Sequence, residues 1–320
     1  STAAARRVKE MAMNNPVTRV TVLGGGLMGS GIAQIFAARG VEVTIYDIDA
    51  GAWTAPDTIR SNLQRMQADD ATIEEVVNRV VFCDRLAESV KGAQIVFECV
   101  PEKLALKQRL FHELDALCPP ETILASNTSV ISISEIARDV THKQRVLGTH
   151  FWNPAFLIPL VEVIRTCWTD DVLFERTFDI LAWAGKRPVR VNKDVPGFLV
   201  NRLQHALWRE AIYLVEQGIA DARTVDEGIR YGFGIRLPTL GPLENADMVG
   251  TDLTLAIHEY IFPHLNNATT PSPLLRRLVS EGKLGFKSGG GFQTWDDASI
   301  NESRERLLSY LQRVTQQPEE

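Results

Sequence analysis

Apolar residues follow two rhythms along this 320-residue chain. Up to about residue 195, short β-branched runs alternate with stretches in which apolar positions recur every three or four residues; beyond it only the longer rhythm persists. The short runs 17–23, 41–46, 94–99, 122–126, 146–151, 161–164 and 188–191 predict strands. Helices are predicted between them. One carries Ile32, Ile35 and Phe36 on a face and ends before Gly40, one covers 104–117, one opens at a Ser132-x-x-Glu135 capping box, and one runs from Asp170 or Asp171 to Gly185. Such alternation predicts a doubly wound α/β sheet. After Pro196-Gly197 the segments 198–217, 224–231, 248–261 and 304–315 read as helices. We therefore expect an α/β domain over 14–195 and an all-α domain over 196–320.

The first predicted strand feeds directly into Gly24-x-Gly26-x-x-Gly29, with Leu27 and Met28 at the start of the following helix. Gly24 permits the tight turn, Gly26 lets backbone approach a phosphate, and Gly29 lets helix pack on strand. The helix's first N–H groups are free to bind an anion. A glycine turn of this kind can be purely structural. Here the second predicted strand ends at Asp47, about where an acidic residue meets the adenosine ribose in Rossmann-type folds. A carboxylate there accepts from ribose hydroxyls and repels a 2′-phosphate, so NAD is expected over NADP. Asp49 is the alternate.

Composition narrows the class. A length of 320 with 45% hydrophobic residues exceeds what one core holds, and the net charge of −6 has no basic cluster to offset it. That argues against nucleic acid or an anionic membrane surface as partner. No apolar run reaches the roughly 18 residues needed to cross a bilayer. Cys83, Cys99, Cys118 and Cys167 stand singly, without a CxxC pair for metal, and read as small core residues of a cytoplasmic protein. The opening STAAARRVKE lacks the apolar stretch of a secretion signal and reads as a tail outside the fold.

Chemistry belongs at the carboxyl ends of the strands, where such folds bind ligands. Ser126-Asn127-Thr128-Ser129 follows one strand, His150-Phe151-Trp152-Asn153-Pro154 another, and Glu162 lies inside the apolar LVEVI. Removing a hydroxyl proton as hydride departs requires a base, and imidazole suits neutral pH. His150 is the candidate, with Glu162 to fix its tautomer; the competing reading is a satisfied core histidine. Ser129 and Asn201 could hydrogen-bond a substrate oxygen, or serve as turn and cap residues. Trp152 and Phe156 could border a substrate, or simply pack.

At these residues the chain resembles the L-3-hydroxyacyl-CoA dehydrogenase family. GGGLMGSGIAQ, PEKLALKQRLF, ASNTS, HFWNP, LVEV, VPGFLVNRL, GPLENADMVG and KLGFKSGGGF occur in the family's order from residue 17 to about 295. The resemblance implies that His150 is the catalytic base, Glu162 its carboxylate partner, and Ser129 and Asn201 the polar groups around the reacting oxygen. It also implies NAD contacts from Glu102, Lys107, Asn153 and Lys287, besides Gly24, Gly26, Gly29 and Asp47. It implies too that the helical domain binds substrate and joins a homodimer.

Two departures bear on the substrate. Where acyl-CoA members carry a lysine-rich helix, this chain reads SNLQRMQADDATIEE; Arg60 and Arg65 remain, but Asp69 and Asp70 would repel a CoA phosphate. The segment GFGIRLPTLGPLE is similar to the branch containing L-carnitine dehydrogenase and the gulonate dehydrogenase related to lambda-crystallin, which acts on 3-hydroxy acids without CoA. Arg236 in it could grip a substrate carboxylate in a bidentate pair, or be a surface arginine. The expected activity is NAD-dependent oxidation of an L-3-hydroxy compound to the 3-keto product. A CoA-free acid is favoured, a short-chain 3-hydroxyacyl-CoA thioester is the alternative, and a non-catalytic NAD-binding protein of the crystallin kind is the remaining class.

Overall fold

The computed structural model describes residues 16–49 and 53–316. The tail set aside above lies outside them. The chain divides into two units, one running to Asn201 and resuming at Ser309, the other spanning Arg202–Leu308.

The first unit is built on one sheet of β1 (Arg19–Leu23), β2 (Glu42–Tyr46), β3 (Val80–Cys83), β4 (Ile95–Glu98), β5 (Ile123–Ser126), β6 (Val146–Phe151), β7 (Leu160–Ile164) and β8 (Arg187–Val191). Their order is β3-β2-β1-β4-β5-β6-β7-β8. β4, β5 and β6 are buried along their whole length, as expected of parallel strands covered on both faces, which accounts for their nearly unbroken apolar sequences. From β1 the order runs outward in both directions, to β2 on one side and β4 on the other. This is the switch point at which such sheets open a crevice at the strands' carboxyl ends. β7 turns back antiparallel to β6, and β8 is parallel to β7.

The sheet separates two apolar clusters, one holding Phe36, Ile45, Phe97 and Phe151, the other Leu110, Phe111, Leu114 and Ile136. Around it lie α1 (Leu27–Ala37), α2 (Ala55–Arg65), α3 (Asp70–Asn78), α4 (Leu86–Ser89), α5 (Leu104–Leu117), α6 (Ile133–Ile136) and α7 (Asp171–Trp183). Ser132 caps α6 and Asp170 caps α7, each accepting from backbone N–H groups of the first turn. The Rossmann-type α/β expectation thus holds, with one strand added. β3 had escaped notice because it is four residues long and flanked by Arg79 and Asp84, with Val81 on its exposed side. Cys167, expected in the core, is exposed.

The second unit is helical, as expected. It comprises most of α8 (Val200–Glu216), then α9 (Ala222–Tyr231), α10 (Pro242–Val249), α11 (Thr251–Ile261), α12 (Pro273–Ser280) and much of α13 (Asp297–Gln316). The single helix expected near 248–261 is broken at Gly250, whose φ of 104° no α-helix accommodates. Leu278 and Ile300 are its buried large apolar side chains among the described residues, while Leu243, Met248 and Tyr260 are more than 70% exposed. An apolar cavity of about 650 Å³ in this unit is lined by Trp208, Ile212, Leu275, Phe286, Lys287 and Trp295, among others.

Candidate active site

At the switch point β1 runs into the glycine turn. Gly24 has a φ of 101°, and a Cβ there would lie 2.7 Å from the Cys99 carbonyl oxygen. A Cβ on Gly29 would lie 1.9 Å from the Gly24 carbonyl oxygen, whereas one on Gly26 meets nothing within 4 Å. Gly24 and Gly29 therefore make the turn possible, and Gly26 leaves open space above it. Gly26 is also the N-cap of α1 and supplies no side-chain cap, so the first N–H groups, including those of Leu27 and Met28, keep their capacity for an external acceptor. Asp47 follows β2, and its Oδ2 accepts the Gly25 N–H at 2.8 Å while Oδ1 accepts that of Asp49. Each oxygen retains a lone pair for a further donor.

Glu98 ends β4 with no exposure at all. Its Oε1 accepts from Lys107 Nζ at 2.6 Å and from the Val100 N–H, and its Oε2 from Ser126 Oγ at 2.6 Å. Lys107 also reaches the Val100 carbonyl and Glu102 Oε2, both at 3.2 Å, so its three donors are all engaged and its side chain is 1% exposed. A contact from Lys107 to a ligand would have to displace one of these partners. Glu102 in turn holds the loop after β5: its Oε1 accepts from Thr128 Oγ1 and from the N–H groups of Ser129 and Val130. Burial alone would raise the Glu102 carboxyl, but the Thr128 hydroxyl and the Lys107 ammonium bring it below its ordinary value.

His150 and Glu162 face each other directly across the antiparallel β6–β7 pair. Register partners share a face of the sheet, and here Nδ1 of His150 lies 2.7 Å from Oε2 of Glu162. His150 is 5% exposed and Glu162 fully buried. Oε1 of Glu162 accepts from the N–H groups of Leu199 and Val200 at 2.9 and 3.0 Å, where α8 begins. Burial by itself would raise the Glu162 carboxyl; the His150 hydrogen bond, the two amides and the imidazolium charge together hold it below the ordinary carboxylate value. With Nδ1 committed to an anion, the ring's Nε2 is left as its proton acceptor.

In the first turn of α8, Asn201 donates through Nδ2 to the Ser129 carbonyl at 3.0 Å. A hydrogen-bonded path thus joins Lys107, Glu102, Ser129 and Asn201, and Asn201 sits next to the residue that caps onto Glu162. Asn153, two residues past β6, is exposed. Lys287 and Arg236 belong to the helical unit, where both are exposed and Lys287 lines the cavity. Sequence reasoning overlooked Glu98 and Asp194 and gave Asn127 no role of its own. Asn127 Oδ1 accepts the Phe151 N–H at 2.8 Å and so ties the β5 loop to β6; Asp194 accepts from Ser132 Oγ and the Ile133 and Ser134 amides. Glu98 was detectable by the argument that picked out Glu162, an acid within an apolar strand.

Comparison with known proteins settles what class of protein carries this site. Residues 19–195 match the 3-hydroxyacyl-CoA dehydrogenase NAD binding domain and residues 197–295 the C-terminal domain of the same family. The chain belongs to the 3-hydroxyacyl-CoA dehydrogenase family. A probable 3-hydroxybutyryl-CoA dehydrogenase of Bacillus subtilis is 39% identical over 290 residues, covering 88% of this chain and 98% of that protein. The 5-formyl-3-hydroxy-2-methylpyridine 4-carboxylate 5-dehydrogenase of Mesorhizobium japonicum is 30% identical over 309 residues, covering 93% and 98%. Among solved structures, one of a 5-dehydrogenase of that pyridine carboxylic acid, described as an NAD+ dependent dismutase, gives a TM-score of 0.84 at 30% identity, covering 93% of this chain and 97% of its own. A (S)-3-hydroxybutyryl-CoA dehydrogenase from Ralstonia eutropha gives 0.74 at 32% identity, covering 88% and 100%.

Membership makes this protein an NAD-dependent oxidoreductase acting on CH–OH groups. The glycine turn fits that cofactor on its own terms, since Gly26 presents open space beside an uncapped helix start and Asp47 stands at the end of β2. Among the described residues no helix is long and apolar enough to cross a membrane.

Proposed function

We propose that this protein oxidises the hydroxyl carbon of an L-3-hydroxy acid that is not attached to CoA, with His150 as general base. The observation that carries the base is the 2.7 Å bond from His150 to the buried Glu162, which leaves Nε2 to take a proton. His150 removes the hydroxyl proton and Glu162, held as an anion, stabilises the imidazolium that forms. Asn201 and Ser129 hold the reacting oxygen, and Arg236 pairs with the substrate carboxylate. Bound NAD supplies the hydride acceptor. Gly24, Gly26 and Gly29, with Leu27 and Met28, would cradle its pyrophosphate, Asp47 would take the ribose, and Glu102, Lys107, Asn153 and Lys287 would contact NAD or its nicotinamide end, Lys107 by exchanging one of its present partners. In reduction of the 3-keto compound, imidazolium returns the proton.

The state of the two arginines supports the CoA-free reading. Arg60 is paired with Glu74 at 2.7 Å, so its charge is already matched before any phosphate arrives. Asp69 caps α3 through the Thr72 N–H, which holds an anion four residues along the chain from Arg65. The Mesorhizobium relative, whose name specifies a pyridine carboxylate, aligns over 93% of this chain. Identity of 39% to the probable 3-hydroxybutyryl-CoA dehydrogenase favours the second reading, a short-chain thioester held by Arg65. The test is NADH formation on two panels, short 3-hydroxyacyl-CoA esters and free hydroxy acids including L-carnitine and L-gulonate. Turnover confined to the free acids is expected; turnover confined to thioesters overturns the choice. Exposed Leu243, Met248 and Tyr260 support a homodimer formed through the helical unit, which light scattering on the purified protein tests.

A further inference from the structure

We propose that Trp152 is a positioning residue for the proton-accepting pair: its indole N–H shares Glu162 Oε2 with His150 and limits how strongly that carboxylate holds the imidazolium. This rests on the reading of His150 and Glu162 given above. Side chains two apart on an extended strand lie on one face, so Trp152, just past the end of β6, projects on the same side as His150. Its Nε1 donates to Oε2 at 3.3 Å, and its ring meets the imidazole at a centroid distance of 5.3 Å and a tilt of 54°. The indole is therefore turned toward the pair as well as packed on it.

The donor count gives this contact its consequence. Each oxygen of Glu162 receives two donors: His150 and Trp152 on Oε2, the Leu199 and Val200 amides on Oε1. Glu162 is without solvent exposure, so water does not compete for either oxygen. His150 and Glu162 are the ionisable members of this cluster; Trp152, the two amides and the Phe198 ring, 5.8 Å from the imidazole, are its neutral members. A neutral donor on the oxygen that faces the imidazole draws charge from it without adding charge of its own. The carboxylate then binds imidazolium less tightly, and the proton gained in oxidation is released more readily.

Trp152→Phe keeps a ring over the imidazole and removes the donor. The experiment is a pH titration of the histidine ring resonances by NMR in the full chain, with His150 assigned from the His150→Gln spectrum. The His150 midpoint is expected to move up by roughly half a pH unit in Trp152→Phe, and the same substitution in a Glu162→Gln background is expected to move it no further. Loss of an attractive indole face alone would lower the midpoint, so the sign separates the two roles. An unchanged or lowered midpoint overturns the proposal, as does an equal rise without the carboxylate. A second readout needs no change at 152: one indole N–H resonance should move upfield in Glu162→Gln, and no such movement also overturns it. Activity in His150→Gln would refute the base while leaving these titrations to judge Trp152.

Discussion

His150 and Glu162 are cross-strand partners whose Nδ1–Oε2 bond of 2.7 Å is buried, and the same carboxylate secures the start of α8 through Leu199 and Val200. One side chain therefore serves both the proposed base and the helix that carries Asn201.

Glu162→Gln should damage both tasks, because an amide cannot accept at both oxygens. Turnover should fall on the order of 100-fold or more, as when a histidine's orienting carboxylate is replaced elsewhere. Stability should fall by about 3 kcal/mol, the scale for a broken buried pair. The folded-state carboxyl lies below its unfolded value. Its contribution is thus complete above the unfolded value, near pH 4, and is lost as pH falls through the folded one. Melting curves of wild type and Glu162→Gln should converge on acidification below about pH 4; a constant gap contradicts the linkage.

The glycine turn separates folding from cofactor binding. Gly29→Ala places a Cβ 1.9 Å from the Gly24 carbonyl oxygen and should destabilise the fold by roughly 1–3 kcal/mol, with NAD binding lost. Gly26→Ala meets nothing in the protein, so its melting temperature should stay near wild type while the NAD dissociation constant rises at least about tenfold. Calorimetric titration of both variants checks this, and intact affinity in Gly26→Ala would remove the close approach.

Asp47→Ala should narrow the preference for NAD over NADP. The expected change is weaker NAD binding with NADP binding unchanged or improved, since a carboxylate that repels a 2′-phosphate is gone. Because Asp47 also accepts the Gly25 N–H, Asp47→Asn is the gentler control. An unaltered ratio would move the ribose contact elsewhere.

Arg236→Ala should raise KM for a free hydroxy acid about tenfold or more, the loss of a charge-assisted bidentate pair. KM for any thioester substrate should be unaffected. Equal effects on both, or none, would take the carboxylate contact away from Arg236.

The doubly wound sheet was legible because its central strands are buried on both faces and so read as apolar runs, and the glycine turn because only glycine tolerates φ of 101° at position 24. His150 and Glu162 were legible for a different reason: each is polar in an apolar strand, and polarity there demands a partner. β3 carried too few residues to signal itself. The apolar rhythm runs from Met248 across Gly250 into α11, so periodicity attached the end of α10 to that helix and left the rest of α10 unread. The enclosure of Lys107 by Glu98 and Glu102 was not legible, because such pairing depends on strand order, which spacing along the chain does not encode.

The most direct test is His150→Gln. The purified variant should bind NAD with wild-type affinity, because the turn and Asp47 are untouched, while NADH formation on the substrate that wild type oxidises falls by about 100-fold to 10,000-fold, the contribution of a positioned base. Substantial turnover in this variant, with NAD binding intact, would contradict the assignment of His150 as the base.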